Sequence, residues 1–496
     1  MLSVIVFLPL AAAVVLLGLP RLADTAARWT WLGVTAVDLV LIAVAWARYQ
    51  TPAPGTLALE EKARWIPAVN SSYHLGVDGL SLPLVVMTAV IFFACAVYGL
   101  RSGDRPKPLA ALLLFLQTVS LGLFVSADLI LFFVFFDLSI VAMYFVIAGW
   151  GHGNAGRSAL KFFLYTFLGS LALLVGFIGL YIAARPHTFD MVELAAATPL
   201  AGRPVAGGLV LAAILLGLAV KTPTFPFHTW LPPAHTDAPA VGSAVLAGVL
   251  LKMGTYGFVR IAMPMLPQAW RAWAWVIIVV GVVSVLYGAL VALAQDDFKR
   301  MVAYTSVNHM GYIVFAVGTA GLVASGTAAA RGVAVTGALT QMVSHGLITA
   351  ALFLIAGVFY RRAQTYDMHA YGGLAGPAPK LAWLFAIGAF ASLGLPGFSG
   401  FIAEFQIFTG SIAAAPLTAV ALPGILITAA LFLLALQRLF TGQPRGRSPG
   451  FADLTRSETF SLGMLLALSV VIGLFPRPLL ELIEPAAHAL VGLVGR

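Results

Sequence analysis

The chain contains 496 residues, of which 61% are hydrophobic and only 9% are charged, and its mean hydropathy is +0.98. Soluble domains carry roughly 25% charged residues, so this composition excludes a soluble protein and indicates a polytopic α-helical membrane protein. The cations that make the formal net charge +9 lie at the ends of apolar runs, where they indicate membrane topology and not nucleic-acid binding.

Fourteen apolar segments are predicted to cross the membrane, since about 20 apolar residues span the hydrocarbon core as a helix. The first lacks the preceding positive charges of a secretory signal peptide, so we expect an uncleaved helix. A β-barrel would need alternating segments of about ten residues, which the sequence lacks. The predicted segments are 2–20, 30–47, 80–99, 108–125, 129–150, 160–183, 206–230, 239–263, 272–294, 301–322, 333–359, 381–410, 416–437 and 460–482.

Two of these segments contain helix-breaking residues. The seventh reads AVKTPTFPFHTWLPPAHTDAP (219–239), and the twelfth reads ASLGLPGFSGFIAEFQ (391–406). Proline removes a backbone donor and clashes with the preceding turn, and within lipid such breaks occur only inside protein or beside water. We therefore predict that Pro223, Pro226 and Pro396 hold the backbone open beside water within the membrane.

The two broken segments lie five spans apart, which predicts two five-helix repeats, spans 4–8 and spans 9–13. Because five is an odd number, the second repeat would be inverted relative to the first. The connections are short, so the chain 1–496 is predicted to be one integral membrane domain. Its predicted parts are three N-terminal helices in 1–105, the first repeat in 106–263, the second repeat in 264–440 and helix 14 in 441–496.

The connecting loops predict a cap and an orientation. The longest early loop, 49–78, is expected to form an irregular or hairpin cap. Loops after odd-numbered spans carry sixteen lysines and arginines and the opposite loops carry ten, which with two buried lysines accounts for all 28. The positive-inside rule then places both termini on the non-cytoplasmic side. On the cytoplasmic side, Asp296, Asp297, Lys299 and Arg300 are expected to form a solvated cap.

Four ionisable residues lie within apolar segments, namely Asp137, Lys221, Lys252 and Glu404. A charge near the bilayer centre costs roughly 2.5–3.5 kcal/mol on insertion scales, and such residues mark the paths of ions and protons. Simpler alternatives exist: a lysine near a helix end can snorkel to the interface, Asp137 can bond two helices together, and Glu404 can face a loop cavity. The residues nevertheless favour translocation over a structural spacer, in which apolar residues would replace both lysines.

Polar residues in other segments are candidates for a hydrated path between these charges. Ser306, His309 and His345 lie within the tenth and eleventh apolar segments. For the two histidines, packing with a satisfied hydrogen bond is expected almost as much as proton relay. His228 and His235, in the broken seventh region, are expected to be structural.

Several stretches of the chain carry distinctive motifs. They are AVKTPTFPFHTWLPPAHTDAPAVGSAVLAGVLLKMGTYGFVR (219–260), YHLGVDGLSLPLVV (73–86), LKFFLYTFLGSLALL (160–174), DDFKRMVAYTSVNHMGY (296–312), QMVSHGLITAALFLIAGVFYRR (341–362) and LGLPGFSGFIAEF (393–405). These stretches closely resemble the antiporter-like subunits of respiratory complex I, and the resemblance covers nearly the whole chain. It is strongest to the ND4 type, because the ND2 type usually carries lysine where this chain has Glu404.

The resemblance implies a role for each matching residue. Lys252 would be the mid-membrane lysine and Glu404 the terminal proton site, while the residues that help to hydrate the axis would be Ser306, His309 and His345.

The resemblance also implies an ion pair between Asp137 and Lys221, but here the chain departs from the family. The family usually has glutamate at the position of Asp137, and aspartate is shorter by one methylene, about 1.5 Å. Direct contact with Lys221 is therefore lost, bridged by water or recovered by a shift of the helix.

The function implied is that of a proton-translocating membrane subunit of NADH:quinone oxidoreductase, coupled to electron transfer elsewhere. The single cysteine, Cys95, cannot ligate an Fe–S cluster or a zinc ion alone. No cofactor or metal is therefore expected in this chain, and NAD, FMN, Fe–S clusters and quinone are expected in partner subunits. The expected neighbours are ND5-type and ND2-type subunits in a bacterial cytoplasmic membrane. The alternative, with the same motifs, is the D-type subunit of a multisubunit monovalent cation/proton antiporter.

Overall fold

The chain folds into helices joined by short connections, apart from one β-hairpin. The computed structural model describes residues 1–19, 21–101 and 104–495. Three features of the predictions fall on residues outside these ranges. They are the end of the first predicted segment at Pro20, residues 102–103 of the predicted N-terminal part, and the C-terminal cation Arg496.

The elements follow one another with few irregular stretches. The first half contains α1 (Leu2–Gly18), α2 (Asp24–Arg48), β1 (Ala58–Ile66), β2 (Ser71–Val77), α3 (Leu82–Gly99), α4 (Pro106–Val125), α5 (Leu129–Trp150), α6 (Ala155–Ala183), α7 (Met191–Ala197), α8 (Pro204–Lys221) and α9 (Leu231–Asp237). The second half contains α10 (Ala240–Met265), α11 (Pro267–Leu293), α12 (Phe298–Thr319), α13 (Ala328–Ala363), α14 (Pro379–Ser392), α15 (Ser399–Ala414), α16 (Pro423–Phe440), α17 (Arg456–Leu474) and α18 (Arg477–Gly495).

Within the described residues, twelve helices are long and apolar enough to cross a membrane, which confirms the all-α polytopic architecture. Four helices that match predicted segments do not meet that criterion. They are α1 with 17 residues, α12 with its polar side chains, and α14 and α15, the two halves of the broken twelfth segment. The count of fourteen spans and the repeat relationship therefore stay predictions.

The loop 49–78 forms a hairpin, which is one of the two predicted alternatives. Strand β1 pairs antiparallel with β2, and Asn70 makes the turn between them in the left-handed region, with φ of 50°. An isolated bridge from Leu75 to Ser126 attaches β2 to the α4–α5 connection. A second bridge, from Asp128 to Asp190, attaches that connection to the start of α7. The hairpin thus covers one face of the helical assembly.

The seventh predicted segment is interrupted at 222–230, between α8 and α9. Protein donors satisfy the carbonyls that the break frees at the end of α8. The indole N–H of Trp230 donates to the Val220 carbonyl at 2.9 Å, and the N–H of Thr224 donates to the Ala219 carbonyl at 3.1 Å. The break is confirmed, while its contact with water stays a prediction.

The twelfth predicted segment is interrupted at 393–398, between α14 and α15. Gly394 adopts φ of +75° in this break, a conformation that glycine reaches without steric strain. The first residue of α15, Ser399, shares hydrogen bonds of 2.7 Å with Ser344 and with Ser469. Two other helices, α13 and α17, therefore hold the start of α15 in place.

Helix α10 departs twice from regular α-helical winding. Residues Leu246–Leu250 and Phe258–Ala262 form π-helical turns, and the α-helical stretch Leu251–Gly257 between them carries Lys252. A π turn inserts an extra residue and rotates the side chains that follow, and such turns are frequent at functional sites. Neither turn was predicted from the sequence.

The C-terminal part, 441–496, contains two helices and not the single helix that was predicted. Helix α17 ends at Leu474 and α18 begins at Arg477. Pro476 lies between them, and proline cannot continue the hydrogen bonding of a preceding helix. The predicted end of the last segment at residue 482 was therefore wrong, although the proline was visible in the sequence.

Helix α13 is the central element of the fold. It is 36 residues long, and it contains an apolar stretch of 18 residues that is entirely buried. It packs against α3 from the first half of the chain and against α10, α12, α15 and α18 from the second half. Side chains at the middle of α13 can therefore meet residues from both halves of the chain.

Candidate functional site

Lys252 and His345 meet in the interior, where α10 crosses α13. Nζ of Lys252 lies 2.6 Å from Nδ1 of His345 and donates to the Ala247 carbonyl, also at 2.6 Å. Both side chains are buried, and Nε2 of His345 has no partner among the described residues. An ammonium group here has a basic ring nitrogen in direct contact, which is the geometry that proton transfer requires.

His309 and Glu404 continue this arrangement on α12 and α15. The rings of His345 and His309 lie 5.3 Å apart, and Nε2 of His309 lies 3.7 Å from Oε1 of Glu404. The same nitrogen donates to the Ser392 carbonyl at 3.2 Å, at the end of α14. We call Lys252, His345, His309 and Glu404 the central line.

A small cavity lies beside the second half of the central line. Its lining includes His309, Ser344, His345, Ser392 and Glu404, and its volume is about 10 Å³. That volume is close to the smallest that holds one water molecule. A water at this place could bridge the 3.7 Å between His309 and Glu404, which is longer than a direct hydrogen bond.

The break between α14 and α15 lies directly against Glu404. A Cβ atom added to Gly394 would come within 2.6 Å of Oε2 of Glu404. The backbone of the break therefore approaches the carboxyl group as closely as a residue without a side chain permits. This arrangement explains why the broken helix and the buried acid occur together.

Lys221 does not form the expected ion pair with Asp137. Its Nζ donates to Oγ of Ser139 at 2.9 Å and lies 4.8 Å from the centre of the Phe136 ring. Oδ1 of Asp137 has no hydrogen-bond partner among the described residues, and no ion pair within 4.0 Å joins it to Lys221. The two charges remain within electrostatic reach of each other.

The geometry of α5 explains why the lysine contacts Ser139. Positions i and i+3 share a helix face, so Phe136 and Ser139 together contact the ammonium group of Lys221. Asp137 lies about 100° around the helix from Phe136. Its short side chain does not reach the ammonium group of Lys221, which lies against Phe136 and Ser139. Ser139 was missed from the sequence because serine within an apolar helix is common.

The elements that carry the two lysines are in close contact. A Cβ atom added to Gly254, two residues after Lys252, would lie 2.3 Å from Oγ1 of Thr222 and 2.9 Å from the Leu218 carbonyl. Thr222 directly follows Lys221. A shift in the broken helix at Lys221 would therefore press on α10 near Lys252.

The structure does not join Ser306 to the central line. Its hydroxyl donates back to the Val302 carbonyl of the same helix at 3.3 Å. Such a bond satisfies the hydroxyl locally. Among the described residues, no three or more His, Cys, Asp or Glu side chains are grouped to hold a metal ion.

The predicted solvated cap at 296–300 was wrong for Lys299. This side chain is 0% exposed and donates to the Ala238 carbonyl at 2.6 Å. The sequence showed only a lysine next to other charges at a helix start, a pattern that usually faces solvent. A sequence pattern of this kind carries no information on the segment that packs over it.

A second cluster of charges lies outside the membrane-spanning helices and attaches the β-hairpin. The Asp190 carboxylate accepts hydrogen bonds of 2.7 Å from both Lys62 and His74, and the second ring nitrogen of His74 lies 2.7 Å from Glu60. We call Lys62, His74 and Asp190 the hairpin lock. It joins the two strands to the N-terminus of α7.

The hairpin lock shifts the proton affinities of its members. Burial acts to lower the pKa of His74, but the hydrogen bond to Asp190, the charge of Asp190 and the bond to Glu60 together outweigh it, and the pKa lies above the usual value. Burial acts to raise the pKa of Asp190, but the bonds from His74 and Lys62 outweigh it and hold the pKa well below its usual range. Near neutral pH, Asp190 is therefore charged. His74 keeps its proton to a higher pH than a free histidine does.

Comparison with known proteins shows one consistent similarity. The family model described as NADH:quinone oxidoreductase/Mrp antiporter, TM, matches residues 126–431. NADH-quinone oxidoreductase subunit M of Rhodobacter capsulatus is 38% identical, over 99% of this chain and 96% of that protein. F(420)H(2) dehydrogenase subunit M of Methanosarcina mazei is 36% identical, over 99% of this chain and 98% of that protein.

Solved structures show the same fold. A chain of respiratory complex I from Thermus thermophilus with bound NADH superposes with a TM-score of 0.89 and 29% identity, covering 100% of both chains. A chain of the Mrp complex from Dietzia sp. DQ12-45-1b superposes with a TM-score of 0.84 and 21% identity, covering 100% of this chain and 99% of that one. The second likeness supports the fold alone.

Proposed function

This chain belongs to the NADH:quinone oxidoreductase/Mrp antiporter transmembrane family, and we propose that it is a proton-translocating membrane subunit of a respiratory NADH:quinone oxidoreductase. The observation that carries the proposal is the central line, in which Lys252 touches His345 and the two histidines lead to Glu404. Buried groups that exchange protons at hydrogen-bond distance are what such a function needs.

The steps along the central line follow from its hydrogen bonds. The Lys252 ammonium passes a proton to Nδ1 of His345, which leaves a neutral lysine still able to donate to Ala247. Nε2 of His345, which has no partner among the described residues, then releases a proton towards His309. His309 reaches Glu404 through a gap of 3.7 Å that a water molecule could bridge.

In this proposal, Asp137 and Lys221 control proton transfer along the central line. A lysine in a medium of low dielectric holds its charge better when a carboxylate is near. With Nζ seated on Ser139, Lys221 lies beside Asp137 but not against it. A small movement of α5 or of the broken helix would change this distance, and the contact of Gly254 with Thr222 would pass the movement to α10.

The partners of the chain follow from the relatives and from what the residues supply. We propose ND5-type and ND2-type subunits as neighbours, with NAD, FMN, Fe–S clusters and quinone bound by other subunits of a complex in a bacterial cytoplasmic membrane. The relative from Methanosarcina mazei belongs by its name to an F(420)H(2) dehydrogenase. The electron donor is therefore a property of the partner subunits. The charge count of the loops supports termini on the non-cytoplasmic side.

The test compares the two functions that the family name covers. In membrane vesicles from a strain that carries this chain, we expect NADH oxidation by quinone to drive proton uptake that Lys252→Ala abolishes. A cation/proton antiporter subunit would instead show exchange of Na⁺ or K⁺ for protons in the absence of any electron donor. Exchange of that kind, without proton uptake driven by NADH, would overturn the proposal.

A further inference from the structure

Lys299 is a buried cation that does not belong to the central line. It occupies the first turn of α12, two residues after the N-cap residue Asp297. Its Nζ lies 2.6 Å from the Ala238 carbonyl, 3.3 Å from the hydroxyl of Tyr366 and 3.4 Å from the Thr236 carbonyl. An ammonium group has three N–H donors, so the protonated lysine has one acceptor for each of them.

Two of these acceptors belong to the end of the broken helix. The carbonyls of Thr236 and Ala238 lie at the C-terminus of α9, where the peptide dipoles leave partial negative charge. The proton on Lys299 therefore stabilises the position of α9. Without that proton, the lysine could donate to two of its three partners at most.

The third acceptor, the hydroxyl of Tyr366, connects Lys299 to a residue nearer the surface, His152. The hydroxyl of Tyr366 accepts from Lys299, so its own hydrogen is free to be donated to Nε2 of His152, which lies 2.9 Å away. His152 is half-buried in the connection between α5 and α6, on the face that the charge count assigns to the cytoplasm. Burial and the nearby charge of Lys299 lower the pKa of His152 to about 4. The ring is therefore neutral near pH 7 and accepts from Tyr366.

We propose that His152, Tyr366 and Lys299 form a relay that loads protons into the protein from this face. A proton that arrives at His152 is donated from Nε2 to the oxygen of Tyr366, while the hydroxyl proton of Tyr366 passes to a neutral Lys299. One proton enters, one proton moves on, and Tyr366 ends unchanged. The proposal rests on the proposed function, since a loading relay has a purpose only if protons cross the chain.

His235 connects this relay with the central line. It lies on α9, is 0% exposed, and neither ring nitrogen has a partner among the described residues. The ring stacks on Phe353 of α13 at 4.3 Å and lies within electrostatic reach of both Lys299 and Lys252. A buried histidine without partners between two lysines is the next acceptor for a proton that leaves Lys299.

The relay and a purely structural cation predict different behaviour for two conservative variants. Lys299→Arg keeps the positive charge at the end of α9, but a guanidinium does not release its proton in proteins. Tyr366→Phe keeps the ring, which lies 5.0 Å from Nζ of Lys299, and removes only the hydroxyl. A structural cation tolerates both changes, whereas a relay tolerates neither.

The experiment measures proton uptake per NADH oxidised in vesicles, normalised to assembled complex. We expect Lys299→Arg and Tyr366→Phe each to lower uptake by about a hundredfold or more, in line with the loss of one proton-transfer group. Tyr360→Phe is the matched control. Tyr360 stacks on His152 at 4.1 Å, and we expect uptake at the parental rate without its hydroxyl.

Parental uptake in either Lys299→Arg or Tyr366→Phe would overturn the relay. If Lys299→Arg does not assemble, Tyr366→Phe decides alone. Lys252→Ala is measured beside them to separate the two proposals. If Lys252→Ala pumps normally, the proposed function fails. If Lys252→Ala is inactive while Tyr366→Phe pumps normally, only the relay is wrong.

Discussion

Nζ of Lys252 lies 2.6 Å from Nδ1 of His345, although 93 positions separate the two residues along the chain. The contact joins α10 to the centre of α13, and the π-helical turn Leu246–Leu250 rotates the residues that follow it, Lys252 among them. A lysine and a histidine in contact within the membrane can exchange a proton without any movement of the backbone.

Lys252→Ala should therefore abolish coupled proton uptake while assembly stays largely intact. The variant removes the proton carrier at the middle of the line and leaves His345 without its partner. We expect a loss of about a hundredfold or more, since general acid–base groups contribute on this scale. The measurement is proton uptake driven by NADH in vesicles, with subunit content determined by immunoblot. Near-normal uptake at normal content would contradict the role of Lys252.

Asp137 should matter through its charge and not through its length. Asp137→Glu restores the residue that the family usually has and should keep activity, whereas Asp137→Asn should lose much of it. At about 4 Å and an effective dielectric of 20, a pair of charges interacts by roughly 4 kcal/mol, and the energy falls inversely with distance. One methylene changes this interaction by a fraction, while an amide removes it.

Ser139→Ala is the companion to the Asp137 variants. It removes the hydroxyl that holds Lys221 at 2.9 Å and leaves every charge in place. We expect a smaller loss of proton uptake than in Asp137→Asn, because the lysine is then free to approach the carboxylate. If Asp137→Asn pumps like the parent, Asp137 is structural and the control function assigned to it is wrong.

Glu404→Gln should block proton uptake without loss of the fold, because glutamine fills the same volume and cannot exchange a proton. Gly394→Ala tests the neighbouring break, since its Cβ would come within 2.6 Å of the Glu404 carboxyl group and would also occupy an unfavourable φ of +75°. We expect Gly394→Ala to lower both assembly and uptake, and Glu404→Gln to lower uptake alone. Equal loss of assembly in both variants would show that Glu404 serves packing.

The hairpin lock should make the β-hairpin sensitive to pH. The raised pKa of His74 stabilises the fold below the unfolded pKa, and this contribution is lost as the pH rises through the folded value. The depressed pKa of Asp190 stabilises the fold above the unfolded pKa, and this contribution is lost as the pH falls through the folded value. The hairpin should thus be most stable between about pH 4 and about pH 6.5, the unfolded pKa values of the two side chains, and should lose stability as the pH rises beyond that range.

Hydrogen exchange of the amides in 58–77 measures this stability directly. Opening of the hairpin should increase above neutral pH in the parent protein. In His74→Gln the hairpin should open more readily than in the parent below neutral pH, and the change above neutral pH should disappear. An unchanged alkaline response in His74→Gln would assign it to another group.

Asp38 and Gln117 should act as a neutral pair that joins α2 to α4. Oδ2 of Asp38 accepts from Nε2 of Gln117 at 2.6 Å, while Oδ1 of Asp38 and Oε1 of Gln117 have no partners among the described residues. A carboxylic acid can satisfy both oxygens by donating its own proton to the amide. Asp38→Asn should therefore keep assembly and proton uptake, because an amide offers the same donors and acceptors.

Asp38→Leu tests the same pair from the other side. It leaves the amide of Gln117 buried without a partner, which costs about 1–3 kcal/mol. We expect a lower melting temperature of the assembled complex in this variant and a parental value in Asp38→Asn. Destabilisation by Asp38→Asn equal to that of Asp38→Leu would mean that the carboxylate charge itself is required.

The sequence by itself determined the membrane class, both helix breaks and the four ionisable residues of the proposed path, of which Lys221, Lys252 and Glu404 are buried and Asp137 is half-buried. These properties depend on local composition: apolar length sets which segments cross the bilayer, and Pro223, Pro226 and Pro396 interrupt helices wherever those helices pack. The hairpin in 49–78 was visible as one of two alternatives. Pro476 was also visible, and the extra C-terminal helix was missed because its proline was not read as a break.

Only the tertiary structure decided which of these groups touch. Lys252 meets His345 because α10 crosses α13 at this depth, where the π turn Leu246–Leu250 rotates the residues that follow it. Lys221 meets Ser139 instead of Asp137 because a neighbouring helix approaches the face of α5 that carries Phe136 and Ser139. Lys299 is buried because α9 and Tyr366 pack over it. A residue's place along the chain specifies its helix. Its partner depends on how the helices rotate and cross, and packing between segments that are distant in sequence determines that rotation and crossing.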